Sequence, residues 1–373
     1  MKRHFLFILF LVSTILGYSQ EKQKLFVDTL DNAFDISYYM YNLHGFLPIV
    51  SPITEPAIGF GASLATVYFI PKEKIDTVKF QMPDIVALVG GLTENGTWFG
   101  GGGYIGFWKQ DRIRYRGILG HGDIKLKYHG NNNQYLDKNP INFSIKSTFL
   151  LQQAMFRIFN SRFMIGGKYV YSNSKVTLFE KSDSKWIKPH EIELQNSGVG
   201  LIVEYENYDN IISPTKGLLV NLNYIQFSTA LGSDVDFGKG ILFMHYYTPT
   251  IKNKLISGFR VESQIATSDA PFYLKPFISL RGVPAMRSQG DIVALTETEQ
   301  LLLITKRWGL VAFGGLGTTY KTGADNTFPL IWNYGGGFRY LIARRLGLRM
   351  GVDLAKSADD WGIYIIFGSS WIK

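Results

Sequence analysis

The sequence has no cysteine among its 373 residues. A lipid anchor on an N-terminal cysteine, disulfide bonds and thiolate metal sites are therefore excluded. The six histidines include no pair spaced four residues apart, so we expect no metal site and no other cofactor. The Gly-x-Ser-x-Gly motif of serine hydrolases is also absent. No catalytic residue can be assigned on this basis, and we do not expect an enzyme.

Long hydrophobic runs are missing after residue 20, because glycine or a polar or charged residue interrupts every apolar stretch within a few positions. A transmembrane helix needs about 20 consecutive apolar residues. The chain beyond residue 20 is therefore expected to be either soluble or a membrane-spanning β-barrel, the other fold that satisfies all backbone polar groups in lipid.

The first twenty residues follow a different pattern. Lys2 and Arg3 precede an apolar stretch from Phe5 to Leu16, and the small residues Gly17 and Ser19 follow. A charged start, a short apolar run and a small-residue cleavage site are typical of a secretory signal peptide. The pattern predicts a cleaved signal peptide over residues 1–20 and export to the cell envelope.

Aromatic residues and glycine are abundant, with 21 Tyr, 27 Phe and 39 Gly. This composition suits the strands of transmembrane barrels, whose two ends carry girdles of aromatic side chains. The net charge of +9 is scattered along the chain and forms no basic run. We therefore expect outer-membrane lipid as a partner, and not nucleic acid.

Segments of about ten residues with alternating apolar and polar side chains recur from residue 57 onward. In the clearest one, Leu346 to Ala355, every second residue is apolar, and Arg349 and Asp353 lie between them. Because side chains alternate between the two faces of a strand, one face suits lipid and the other suits water. Charges on the inner face of many strands favour a membrane barrel over a soluble sandwich, which needs an apolar core.

Turn-rich clusters divide the chain into roughly fifteen strands, which predicts an all-β antiparallel transmembrane barrel. Since bacterial single-chain barrels have an even number of strands, we expect sixteen. The unassigned strand should lie before residue 57 or between residues 129 and 196. Residues 21–56 are interpreted as a short periplasmic lead and residues 57–373 as the barrel.

The longest stretch without a strand, Thr267 to Thr296, contains the sequence Ser279–Val283, which reads Ser-Leu-Arg-Gly-Val. This sequence resembles the BamA/TamA superfamily of outer-membrane barrels, also called the bacterial surface antigen family. In that family a loop after the eleventh of sixteen strands folds into the barrel and carries an Arg-Gly-aromatic tip. Here Val283 replaces the aromatic residue. The resemblance implies an inward-folded loop followed by five strands, the number that the turns also predict.

The resemblance also implies a latch between this loop and the strands. We predict that it consists of Arg281, Gly282, Glu299 and Asp353. Gly315 stands where many family members have aspartate, so the Arg281 guanidinium would pair with Glu299 or Asp353 instead, and Glu262 is a further candidate. A planar guanidinium can bind carboxylates through two parallel hydrogen bonds. The alternative is an ordinary loop arginine that faces solvent.

The end of the chain resembles the last strands of the family and the assembly signal of outer-membrane proteins. Ile363, Ile365, Phe367 and Trp371 all have odd numbers, which predicts a lipid-facing stripe on the closing strand. We assign Phe367 and Trp371 to the assembly signal, although Ile372 and Lys373 follow where such proteins commonly end.

Three functions remain open. The first is an assembly or translocation factor for outer-membrane proteins or lipid, with client proteins or a periplasmic partner. The second is a passive channel or structural barrel, and the third is a barrel-embedded lipid or peptide hydrolase, for which no motif is present. The Arg-Gly loop favours the first. The family's periplasmic POTRA domains do not fit into residues 21–56, which favours the second.

Overall fold

The computed structural model describes residues 26–42, 45–70, 83–128, 139–179, 190–323, 328–358 and 360–371. In these residues sixteen antiparallel strands form one sheet, and each strand pairs with its neighbours in sequence. The strands are β1 Gly45–Ile53, β2 Gly61–Ile70, β3 Asp84–Thr93, β4 Trp98–Trp108, β5 Ile113–Tyr128, β6 Ile141–Arg157, β7 Phe163–Leu178, β8 His190–Glu206, β9 Gly217–Phe227, β10 Phe237–Ile251, β11 Leu255–Ala266, β12 Ile292–Leu303, β13 Trp308–Tyr320, β14 Ile331–Ala343, β15 Leu348–Ser357 and β16 Trp361–Phe367. The predicted all-β barrel of sixteen strands is confirmed.

The strand that the sequence left unassigned is β1. It lies inside the segment that we interpreted as a lead, so the predicted boundary at residue 57 is wrong and the barrel begins at Gly45. Pro48 and Pro52 concealed the strand, because proline lacks the N–H group that a strand in the middle of a sheet must donate. The sheet tolerates them because β1 is an end strand, paired with β2.

Strand length varies around the barrel. Strands β5 to β8 have 16 or 17 residues each, whereas β1 has nine and β16 has seven. In the part of the chain that the structure describes, no backbone pairing joins β1 to β16. We call this gap between the two shortest strands the seam.

Apolar and polar side chains separate onto the two faces of the sheet. On β15, Leu354 is 57% exposed on the outside, whereas the adjacent Asp353 is fully buried inside. Large apolar side chains such as Leu222 of β9 and Leu310 of β13 are likewise exposed on the outside. The alternation seen in the sequence therefore corresponds to an apolar outer surface and a polar, charged lumen.

The connections between strands alternate between the two ends of the barrel. The turn end carries, among the fully described connections, residues 109–112, 158–162, 207–216, 252–254, 304–307 and 344–347. The loop end carries, again among the fully described connections, residues 54–60, 94–97, 228–236 and 267–291.

A small hairpin precedes the barrel at the turn end. Val27 and Phe34 form an isolated antiparallel bridge, and we call residues 26–36 the N-terminal hairpin. The Ile36 N–H donates a hydrogen bond of 2.8 Å to the Ile342 carbonyl near the end of β14. A short helix, α1 (Ser37–Asn42), then leads toward β1. No helix in the described segments is long and apolar enough to cross a membrane.

Candidate functional site in the barrel lumen

The long connection 267–291, between β11 and β12, folds into the barrel as predicted. It forms a hairpin of its own, in which the Ile278 N–H donates to the Ser288 carbonyl at 3.0 Å. Leu280 and Val283 are buried and pack with Val293 on the inner face of β12. The apolar part of this inward loop is therefore anchored on the wall of the barrel.

The tip of the inward loop requires glycine at position 282. Gly282 has a φ of +84°, a conformation that residues with a Cβ rarely adopt. Its N–H donates to the Tyr364 hydroxyl of β16 at 2.7 Å, and its carbonyl accepts from the Ser357 hydroxyl of β15 at 2.8 Å. A Cβ at this position would lie 3.3 Å from the backbone of Ala355. The tip therefore packs closely against β15 and β16.

The Arg281 guanidinium lies among three carboxylates. Its Nη1 atom is 2.8 Å from Glu299 Oε2 and 2.6 Å from Asp353 Oδ2, and its Nε atom is 3.1 Å from Glu297 Oε1. The guanidinium carbon lies 3.4 Å from the centre of the Phe313 ring, a cation–π contact. The structure therefore brings all four predicted latch residues together. Their role as a latch stays a prediction.

Two further arginines extend this cluster. Arg339 donates two hydrogen bonds to Asp353, of which the one from Nη2 measures 2.9 Å. Arg260 contacts Glu262 at 2.5 Å and donates to the Ser279 carbonyl of the inward loop at 3.1 Å. Glu262, a predicted candidate partner of Arg281, thus contacts Arg260. Because the charges compensate one another in a buried environment, removing one leaves its partners uncompensated.

The register of the sheet builds the cluster. Arg260, Glu297, Gly315 and Asn333 are direct partners across β11 to β14, and paired residues point to the same face. Glu297 was not among the residues predicted for the latch. The available signal was its spacing of two from Glu299, which places both carboxylates on one face of a strand.

Gly315 is where the inward loop and β13 approach each other closely. A Cβ at this position would lie 2.8 Å from Asn333 Oδ1 and 3.0 Å from Leu280 Cδ2. We expect Gly315→Ala to displace the loop and to destabilise the barrel by about 1–3 kcal/mol, the usual cost of overpacking. The neighbouring Gly314→Ala is a matched control, because its Cβ would meet only a carbonyl oxygen at 3.5 Å. Heat-modifiability gels show the temperature at which the folded band is lost. Equal unfolding temperatures of the two variants would contradict this expectation.

The chain turns inward after β16. Gly368 has a φ of +76°, and beyond it Trp371 is only 3% exposed. The indole Nε1 of Trp371 donates to Glu297 Oε2 at 2.6 Å. Phe367, by contrast, is 46% exposed. The predicted lipid-facing stripe is therefore wrong for Trp371, because the turn at Gly368 breaks the alternation. The assignment of Phe367 and Trp371 to an assembly signal stays a prediction.

A second charge cluster, at the turn end, was not predicted from the sequence. Arg307, in the connection between β12 and β13, is buried and contacts the carboxylates of Asp28, Asp31 and Asp35. Arg344, in the connection between β14 and β15, also contacts Asp28. Hydrogen bonding to Arg344 lowers the pKa of Asp28 to about 2, and a hydrogen bond from Arg307 lowers the pKa of Asp31. The sequence carries no signal for this cluster, because its arginines and aspartates lie 272 or more positions apart along the chain.

Part of the lumen remains open as a cavity of about 400 Å³. Charged and polar side chains line much of it, among them Arg116, Lys168, Glu204 and His245. In the described segments no group of three or more His, Asp or Glu side chains could hold a metal ion.

The sequence matches no protein-family model and no curated protein. Among solved structures, the fold is similar to BamA from Haemophilus ducreyi lacking POTRA domains 1–3, with a TM-score of 0.60 and 11% identity over 87% of this chain and 69% of that one. It is also similar to CdiB from Acinetobacter baumannii, with a TM-score of 0.59 and 12% identity over 86% of this chain and 59% of that one.

A third similar structure is CdiB from Escherichia coli, with a TM-score of 0.60 and 10% identity over 85% of this chain and 61% of that one. The matches span between 59% and 69% of the length of these three structures. At such low identities the likeness establishes the barrel fold alone.

Proposed function

We propose that this chain is an outer-membrane barrel of the BamA/TamA type that assists the insertion or translocation of outer-membrane proteins or lipid through the seam. The observation that carries the proposal is the missing backbone pairing between β1 and β16 in the described residues. The fold likeness to BamA and CdiB supports it.

An unpaired strand edge in a membrane favours pairing with a further strand. Each unsatisfied backbone N–H or C=O group costs several kcal/mol in lipid, and a free edge is a template for another extended segment. Pro48 and Pro52 each remove a donor from β1, so β1 cannot form a complete ladder on both of its sides. A client strand that pairs at the seam would satisfy groups that the barrel itself leaves open.

The inward loop contacts both sides of the seam. Its Gly282 is bonded to Tyr364 of β16, and its Ala285 N–H donates at 3.1 Å to Glu55, in the connection that follows β1. Trp371, beyond β16, contacts the same Glu297 as Arg281 does. We propose that widening of the gap between β1 and β16 requires these contacts to rearrange, so that the position of the loop and the width of the seam are coupled.

Export and location belong to this proposal. The predicted signal peptide, residues 1–20, lies outside the described residues and stays a prediction. The apolar outer surface supports a lipid environment, and client barrels and a periplasmic partner are the proposed protein contacts.

Site-specific photo-crosslinking in the living cell tests the proposal. Crosslinkers at Val50 of β1 and Ile363 of β16 would flank the seam, and Leu222 of β9 is a matched control because it is also exposed on the outside. We expect adducts with outer-membrane proteins during their assembly at the two seam positions only. Adducts with lipid alone, or equal protein adducts at all three positions, would contradict the proposal.

A passive channel is the second candidate, favoured by the cavity of about 400 Å³ with charged side chains in its wall. The same experiment separates the two functions, since a passive barrel should give lipid adducts at the seam and at Leu222 alike.

A further inference from the structure

The N-terminal hairpin has two chemically different sides. Backbone hydrogen bonds hold it closed, from the Asp28 N–H to the Ala33 carbonyl at 3.0 Å and from the Asp35 N–H to the Phe26 carbonyl at 2.9 Å. One side carries the aspartates that bind Arg307. Val27 and Phe34, which pair across the hairpin, share the other side. Phe26 and Leu30 are also exposed, Leu30 to 75%.

The acidic side is fixed to the barrel. All three nitrogens of the Arg307 guanidinium contact aspartates, including Nε to Asp31 and Nη2 to Asp28, both at 2.6 Å. The carboxylates also bind the backbone of the hairpin, since Asp28 Oδ1 accepts from the Leu30 N–H at 3.1 Å and Asp31 Oδ1 from the Ala33 N–H at 3.2 Å. The orientation of the hairpin is therefore set, and its negative charge is compensated by arginines of the barrel.

The apolar side continues the outer surface of the barrel. The Tyr340 hydroxyl donates to the Phe34 carbonyl at 2.8 Å. The Tyr340 ring lies 4.8 Å from the ring of Trp308, which is exposed on the outer face. Trp308 in turn lies 5.9 Å from the exposed ring of Phe338. Tyrosine and tryptophan concentrate at membrane–water interfaces, so the hairpin begins where an outward aromatic row ends.

We propose that the N-terminal hairpin is an interfacial membrane anchor whose apolar side lies in the lipid surface at the turn end. This inference rests on the proposed function only in that the barrel spans a membrane. Lipid is the occupant that fits, because the exposed side adjoins the outward aromatic row and the aspartates are already paired with the barrel. Amphipathic helices with apolar and aromatic residues on one side bind at the boundary between headgroups and acyl chains, and the hairpin separates its side chains in a similar way.

The anchor would also restrain the seam. The hairpin leads through α1 toward β1, while its aspartates are fixed at the connections beside β13, β14 and β15. It therefore ties the chain that enters β1 to strands on the other side of the seam, at the turn end.

The absence of cysteine allows a clean test, because a single introduced cysteine can be labelled specifically. The full chain, reconstituted in phosphatidylcholine vesicles, would carry a polarity-sensitive fluorophore at Leu30→Cys. Leu310→Cys, on the outer face of β13, is the control for a probe in contact with lipid. Lys306→Cys, exposed in the connection that carries Arg307, is the control for a probe in contact with water. Quenching by brominated acyl chains is compared with quenching by iodide.

We expect the probe at Leu30 to behave as the one at Leu310, with quenching by brominated lipid and protection from iodide. Quenching by iodide, as at Lys306, would overturn the anchor and leave the membrane barrel standing. Protection from both quenchers would show a protein cover and would also overturn it. Iodide quenching at Leu310 itself would refute the membrane barrel, and the anchor with it. A second probe at Phe34→Cys serves if Leu30→Cys does not fold.

Discussion

Replacing Arg281 with alanine should lower the free energy of unfolding of the barrel by about 3–5 kcal/mol, the usual cost of breaking a buried ion pair. The substitution leaves Glu297, Glu299 and Asp353 without the cation that contacts all three. Arg339 still contacts Asp353. The two glutamates keep only longer contacts, from Arg339 to Glu299 and from Arg260 to Glu297, both at 3.6 Å. Urea unfolding in detergent micelles, followed by tryptophan fluorescence, measures the effect.

Two variants control this experiment. Arg287→Ala lies in the same loop, but its pair with Asp360 is partly exposed, so its loss should cost about 0–1 kcal/mol. Arg281→Lys should recover part of the stability, because the ammonium group supplies charge without the planar fork. Unfolding of Arg281→Ala at the wild-type urea concentration would refute the latch. If the proposed function is correct, the same variant should also lose the client adducts at the seam.

Replacing Arg307 with glutamine should release the N-terminal hairpin from the barrel while the sixteen strands stay folded. The change removes the guanidinium that contacts Asp28, Asp31 and Asp35. A hydrogen bond to a charged group contributes about 1.5–3 kcal/mol, so proteolytic cleavage within residues 26–42 should accelerate roughly tenfold to a hundredfold. Limited proteolysis followed by mass spectrometry measures the rate.

Acidification should have a related effect on the wild-type protein. The pKa of Asp28 lies at about 2, below its ordinary value of 3.8. A lowered carboxylate pKa means that docking is strongest above about pH 4 and weakens as the pH falls toward 2. The fluorophore at position 30 should report this change.

Arg345→Gln is the control for the proteolysis of Arg307→Gln. Arg345 is exposed in the same connection as Arg344, and its contact with Ser37 is made by its backbone N–H, which the substitution keeps. Cleavage of Arg307→Gln at the rate of this control would show that Arg307 does not hold the hairpin.

The sequence by itself determined all but one of the strands and the faces of most side chains. Period-two alternation is a local property, so Leu354 outside and Asp353 inside could be assigned from their neighbours alone. Turn residues divided the chain into about fifteen strands, and the rule that bacterial barrels have an even number of strands predicted sixteen. The resemblance at Arg281 and Gly282 predicted the inward loop. Asp353 followed from parity once the loop was expected to fold inward, and Glu299 followed from the resemblance.

Only the tertiary structure decided which distant groups meet. Glu297 joined the cluster because sheet register placed it opposite Arg260, and register depends on where strands begin, which turns locate only within a few residues. The inward turn at Gly368 depended on space in the lumen and on the hydrogen bond from the Trp371 indole to Glu297. An alternating pattern shows neither of these. The contact of Arg307 with Asp28 joins residues 279 positions apart. No local pattern encodes such a contact, because it exists only after the barrel has brought its two ends together.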